Sequence, residues 1–200
     1  MTNHQLISKI LNYSNKKDPV LIRKYLDRLH EIIIKLNHNK KYVTIIELLS
    51  ILKNEKYVVD FDYWILVEYG LAFYELREYE KALKVSKKYM KIAPNDSYCL
   101  YNYALILRAN KLHIEAINSL NQIVGKNEKI KNNTNKSIIN DARYLLALSY
   151  FENNNLKMSL FFYEQHLINR QRGIQSIVTR LNAINEKKDV ELMLKMNGDI

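Results

Sequence analysis

Apolar residues recur along this chain at helical spacing almost from the first residue. Leu6, Ile7, Ile10 and Leu11 predict a short helix over 4–14. Asp18-Pro19 is a helix start, with Asp as the N-cap and Pro in the first turn. From there Leu21, Ile22, Tyr25, Leu26, Leu29, Ile32, Ile33 and Leu36 keep a 3.6-residue period, and the helix is expected to end near Asn37–Asn39. Tyr42 opens the next, to about Lys53. Later, Ile174, Ile177, Val178, Leu181 and Ile184 predict an amphipathic helix over 174–184, with a short second one over Asp189–Met196. The run Gly125–Ser137 is polar and aperiodic and predicts a long loop. Its part Gly125–Lys136 is expected to be the most mobile internal segment and the first proteolytic nick.

Small residues recur at fixed places among these helices. In 63–96 they are Gly70 and Ala82, beside Tyr69, Phe73 and Tyr79, with Pro94 near the end. Helix backbones approach closely only where side chains are small, so Gly70 and Ala82 mark the crossing of a helical hairpin, and Ala116 marks another. Ala104, Leu107 and Ala116 repeat the pattern in 97–130. Ala147, Tyr150, Ser159 and Tyr163 repeat it in 140–173. Residues 26–59 are a degenerate copy, with Ile33 and Ile45 at the small places, so that hairpin should pack more widely. The second-helix sites Ile45, Ala82, Ala116 and Ser159 are 37, 34 and 43 residues apart.

The pattern in 63–96 resembles a tetratricopeptide (TPR) unit, two antiparallel helices in 34 residues. It departs at Ser86 and Tyr89, where a large apolar and a small residue are usual. The resemblance implies an all-α fold: a TPR-like right-handed α-solenoid of about four helical hairpins, within one domain over 1–200. Residues 1–25 would form the N-terminal helix and entry, and 174–200 the capping helices. Open-ended stacks need such caps; the alternative use of the last segment is a homodimer contact through Val190, Met193 and Leu194.

The resemblance further implies a concave groove lined by the first helix of each repeat. Carried over, its residues are Trp64, Val67 and Leu71, then Tyr98, Tyr101 and Leu105, then Asp141, Tyr144 and Leu148. Trp64, Tyr98, Tyr101 and Tyr144 would form an aromatic ladder, suited to an extended peptide with apolar anchors. The competing occupant is a terminal helix of the same chain. Co-chaperone TPRs grip acidic tails through five basic and amide residues. Their places hold Val67, Leu71, Asn102, Asp141 and Leu145 here, of which only Asn102 fits, so heat-shock chaperone tails are not expected as partners. TPR chaperones of type III secretion are similar in size and repeat number, with an apolar groove; they tend to be acidic where this chain is basic, so that role is the lesser alternative.

The implied function is non-enzymatic protein or peptide binding, as an adaptor or scaffold. The net charge of +10 adds a second class, association with nucleic acid through a basic surface. The excess is spread, however. Residues 1–60 carry 11 Lys/Arg against 6 Asp/Glu, 61–130 carry 10 against 8, and 131–200 carry 10 against 7. Heavy use of Lys, Asn, Ile and Tyr is also what an AT-rich coding sequence produces.

Little in the chain suggests catalysis. His4, His30, His38, His113 and His166 share no metal-ligand spacing, and four scattered glycines build no phosphate loop. No cofactor is expected. Cys99, the single cysteine, has no identifiable His/Asn partner and reads as a packed thiol. One cysteine and the lack of a secretory pattern at the N-terminus suit a cytoplasmic or other intracellular reducing compartment. No apolar run reaches the ~18 residues of a membrane span.

Overall fold

A computed structural model describes residues 1–125 and 133–198, apart from the side chains of 133–135. The described chain is all-α, with 81% helix and no strand. Its helices are α1 (Asn3–Asn15), α2 (Pro19–His38), α3 (Tyr42–Leu52), α4 (Lys56–Phe61), α5 (Trp64–Glu75), α6 (Tyr79–Ile92), α7 (Ser97–Ala109), α8 (His113–Gly125), α9 (Asn133–Glu152), α10 (Leu156–Gln171) and α11 (Arg180–Met196). They fall into two compact units, Met1–Pro94 and Asn95–Ile200. Among the described residues no helix is long and apolar enough to cross a membrane.

Side chains start several of these helices. Thr2 and Gln5 form a capping box on α1, each side chain accepting from the other's backbone N–H. Asp18 caps α2 by accepting from the Leu21 N–H at 3.0 Å, with Pro19 in the first turn. Asp96 does the same for α7 through the Cys99 N–H at 2.9 Å.

The turns between helices share one backbone solution. Lys17, Lys40, Arg77, Lys111 and Asn154 have φ of 51°, 55°, 61°, 61° and 58°. At each, the left-handed residue's N–H reaches the carbonyl three residues back, as Arg77 to Tyr74 and Lys111 to Arg108. The following N–H reaches five back: Lys41 to Leu36, Glu78 to Phe73, Leu112 to Leu107 and Asn155 to Tyr150. This is the Schellman closure, which satisfies carbonyls that the ending helix leaves unpaired. Five residues beyond each left-handed residue comes a fully buried one: Ile22, Ile45, Ala82, Ala116 and Ser159. The four sites from Ile45 onward are the recurrent second-helix places of the sequence, so turn and crossing keep one register.

Within Met1–Pro94, α1 packs on α2, and α5 packs on α6. A Cβ on Gly70 would lie 3.5 Å from Val85 Cγ1, 3.7 Å from Tyr89 Cε1 and 3.8 Å from the Ala82 carbonyl oxygen. Ala82 and Tyr89 are fully buried beside it, and Ser86 is fully buried on the same helix as these two. Of the two departures from the repeat pattern, Tyr89 fills the space beside Gly70, and Ser86 is buried with its hydroxyl donating to the Leu83 carbonyl at 2.9 Å. Ile33 and Ile45 are also fully buried, and α3 packs more extensively on α5 than on α2. Within Asn95–Ile200, the pairs α7/α8, α8/α9, α9/α10 and α10/α11 are packed, with Ala104, Ala116, Ala147 and Ser159 fully buried.

Three expectations are corrected. α4 follows α3 where no separate helix was expected. The C-terminal region is one helix, α11, rather than two; residues 174–179 lead into it without helical structure, and Thr179 caps it through the Asn182 N–H. Part of the expected loop Gly125–Ser137 is helical, because Gly125 ends α8 and α9 begins at Asn133; the rest of that expectation falls on residues 126–132, which lie outside the described residues.

Gly70→Ala should stabilise the protein by about 0.5–1 kcal/mol, because a methyl finds ordinary contacts there and glycine is costly inside a helix. Gly70→Leu and Ala116→Leu should each cost about 1–3 kcal/mol by overpacking. Urea melts of the three variants measure both signs, and an unchanged midpoint in the leucine variants would refute the crossings. Lys111→Gly should raise stability by about 1 kcal/mol, because glycine holds a left-handed conformation without the Cβ clash. A lowered melting temperature would contradict that assignment.

Candidate binding cleft

The carried-over groove residues do not share one environment. In Met1–Pro94, Val67 is fully buried, while Leu71 and Trp64 are half-buried. The Trp64 ring sits 3.8 Å from the His30 ring, centroid to centroid. In Asn95–Ile200, Asn102 is buried and donates from Nδ2 to the Tyr98 carbonyl at 2.9 Å. Tyr98 is exposed, and Tyr101, Leu105 and Leu148 are half-buried.

Tyr144 is the clearest correction, because its ring is buried rather than facing an open channel. Its hydroxyl donates to Glu186 Oε1 at 2.9 Å, and the Tyr163 hydroxyl donates to Oε2 of the same carboxylate at 3.1 Å. The two rings meet edge to face, 5.9 Å apart. Helix α11 therefore covers this part of the unit with its own chain. It buries Ala183, Val190 and Leu194 in doing so. Val190 and Leu194, named for the alternative homodimer contact, are buried within this chain, and of that trio Met193 is exposed. Burial, reinforced by Glu186, pushes both phenols well above the ordinary tyrosine range.

Other polar groups in this unit serve packing. Arg108 forks onto Glu152 at 2.7 and 3.1 Å, and His113 Nδ1 lies 3.1 Å from the same carboxylate. His166 is buried with Nδ1 3.0 Å from the Asn140 carbonyl oxygen, and burial lowers its pKa. Burial pushes the Cys99 thiol up to about 12, with nearby Asp96 adding to the shift, so the thiol stays protonated and unreactive near neutral pH. Among the described residues no three His, Cys, Asp or Glu side chains gather as metal ligands.

An open concave site lies instead within Met1–Pro94, between the end of α3 and the helices α5 and α6. It is a cleft of about 330 Å³. Leu66, Tyr69 and Phe73 recur at helical spacing on α5, and Val85 faces them from α6. All four side chains are nearly buried, so they make a recessed apolar floor. Tyr69 and Phe73 meet edge to face, 4.9 Å apart. Lys53, Lys81, Lys84 and Lys88 stand around the mouth. Lys53, the C-cap of α3, donates from Nζ to the Tyr69 hydroxyl at 2.9 Å. Lys81 pairs with Glu78 and places Nζ 5.6 Å from the Phe73 ring centre. Lys84 and Lys88 are exposed and have no ion-pair partner among the described residues.

None of the lining residues belongs to the carried-over groove. A signal for it was present: Lys81, Lys84, Val85 and Lys88 share one face of α6 by their spacing. Counting charge over 61–130 diluted that face with eight acids, and Lys53 comes from a different helix. Comparison with protein-family models and with curated proteins returns no match to this chain.

Glu186→Ala should destabilise the protein by about 1–3 kcal/mol per phenol hydrogen bond lost, and should hasten proteolysis over 174–179. Because the folded-state pKa of each phenol is raised, the stability they contribute is present below pH ~10 and is lost as pH rises beyond it. Denaturant melts of Tyr163→Phe and the wild type between pH 8 and pH 11 test this. The variant should lose less stability than the wild type over that range, and parallel losses would refute the assignment.

Proposed function

We propose that this protein is a non-catalytic protein- or peptide-binding module of the helical-repeat class, acting as an adaptor or scaffold. Its ligand site in Met1–Pro94 is the cleft between α3, α5 and α6. The observation that carries the reading is the recessed apolar floor of Leu66, Tyr69, Phe73 and Val85, left open where the surrounding hairpin packing is closed. Sites of this kind, apolar below and polar at the rim, are where ligands bury surface. The common register of turn and buried site, at intervals of 37, 34 and 43 residues, supports the TPR-like α-solenoid as the architecture. The reading moves the ligand away from the Trp64–Tyr98–Tyr101–Tyr144 ladder, because Tyr144 is already covered by α11.

Selection from a random-peptide library displayed on phage tests the reading. Convergent sequences should emerge. Their affinity should fall at least about tenfold, or 1.4 kcal/mol, when Lys84→Cys carries a bulky maleimide. They should bind normally when Lys24→Cys, on α2, carries the same group. Buried Cys99 leaves the introduced thiol as the labelled one. No convergence, or equal binding to the blocked protein, would remove the cleft from consideration.

A further inference from the structure

We propose that the cleft takes an acidic peptide segment carrying one apolar anchor side chain. This rests on the reading of the cleft as a peptide site and adds the chemistry of its ligand.

Size sets the first condition. A volume of about 330 Å³ is at the small end of ligand pockets, which run from ~300 to ~1,000 Å³. It suits one anchoring side chain better than a folded surface. The floor sets the second. Its one polar group, the Tyr69 hydroxyl, already receives the Lys53 ammonium. The rest of the floor is the apolar surface of Leu66, Phe73, Val85 and the Tyr69 ring, so it favours an apolar side chain whose polar parts stay at the rim. The rim sets the third. Four ammonium groups stand there, and among the described residues only Lys81 is within ion-pairing distance of a carboxylate, that of Glu78. Lys81 to Lys88 spans seven residues of α6, or ~10 Å along the helix. About three residues of extended chain cover that distance. A short acidic segment can thus touch the whole rim while its anchor occupies the floor.

The same features count against other anionic partners. Single-stranded nucleic acid binds by stacking bases on open ring faces. Here Tyr69 and Phe73 are 6% and 8% exposed, they pack against each other, and Lys81 lies near the second ring. An anionic membrane calls for protruding apolar side chains, whereas these are recessed. A second copy of this chain brings a net charge of +10 to a basic rim.

Fluorescence anisotropy of the full chain with short labelled peptides tests the proposal. The probes are a central leucine flanked by glutamates, the same peptide with serine for leucine, the same with lysines for glutamates, and an oligothymidylate. The glutamate–leucine peptide should bind, and either peptide change should weaken it by about tenfold or more. Lys84→Glu with Lys88→Glu should also cost at least about tenfold. Lys24→Glu with Lys35→Glu changes the net charge equally but lies on α2, and should cost less than about twofold. All four lysines are exposed, and circular dichroism checks that each variant stays folded. Equal weakening in the two double variants would overturn the proposal. So would equal affinity for the lysine-flanked peptide, which would leave the cleft a peptide site without this selectivity. Binding of the oligothymidylate alone would overturn the proposal together with the function it rests on.

Discussion

The helical hairpins of this protein depend on a backbone turn that an L-amino acid holds at a cost of about 1–2 kcal/mol. At Lys40, Arg77, Lys111 and Asn154 the chain enters the left-handed region, and two backbone hydrogen bonds close the preceding helix. The turn does more than reverse direction. It sets the phase of the helix that follows, so that the residue five places on is the one driven into the crossing. Gly70 can then face Ala82, and Tyr89 can fill the space that both leave. Loss of that phase would move the buried stripe of α6 and, with it, the lysines on the same helix.

This coupling explains what was legible in the sequence. Features decided within one or two turns of helix were readable. Asp18-Pro19 announced α2, the polar break at 37–39 ended it, and the small sites marked crossings. Features decided by distant contacts were not. Tyr144 occupies the position of a groove residue, but Glu186, 42 residues later, makes it part of a packed interface. Periodicity in 174–184 was real as a pattern of apolar residues, yet helix formation began only at the Thr179 cap, and Ile177 remains exposed. The cleft was hidden for the opposite reason. Its floor residues looked like ordinary hairpin packing, and Lys53 joins Lys81, Lys84 and Lys88 only after α3 is laid against α5.

The two units also use aromatic residues differently. In Asn95–Ile200, Tyr144 and Tyr163 spend their hydroxyls on one carboxylate and are covered. In Met1–Pro94, Tyr69 keeps its ring at the base of an open cleft, and its hydroxyl is held by a lysine at the edge. The first arrangement fastens a helix. The second leaves apolar surface within reach of solvent and surrounds it with positive charge, which is the physical basis of the binding proposed there.

The non-glycine turns join codon usage to backbone energy. The chain holds only 4 glycines, and of these Gly173 and Gly198 take positive φ. Lys, Arg and Asn occupy the positions where glycine is easiest. Glycine codons are rich in G and C, whereas those of Lys and Asn are rich in A and T. A genome drifting toward A and T would thus push these turns toward strained residues, one substitution at a time. Each step is small enough to survive, but together they draw on the same narrow margin of stability. Such a lineage would hold its hairpins by burial at the crossings, and selection there would fall hardest on the side chains that leave least room to change.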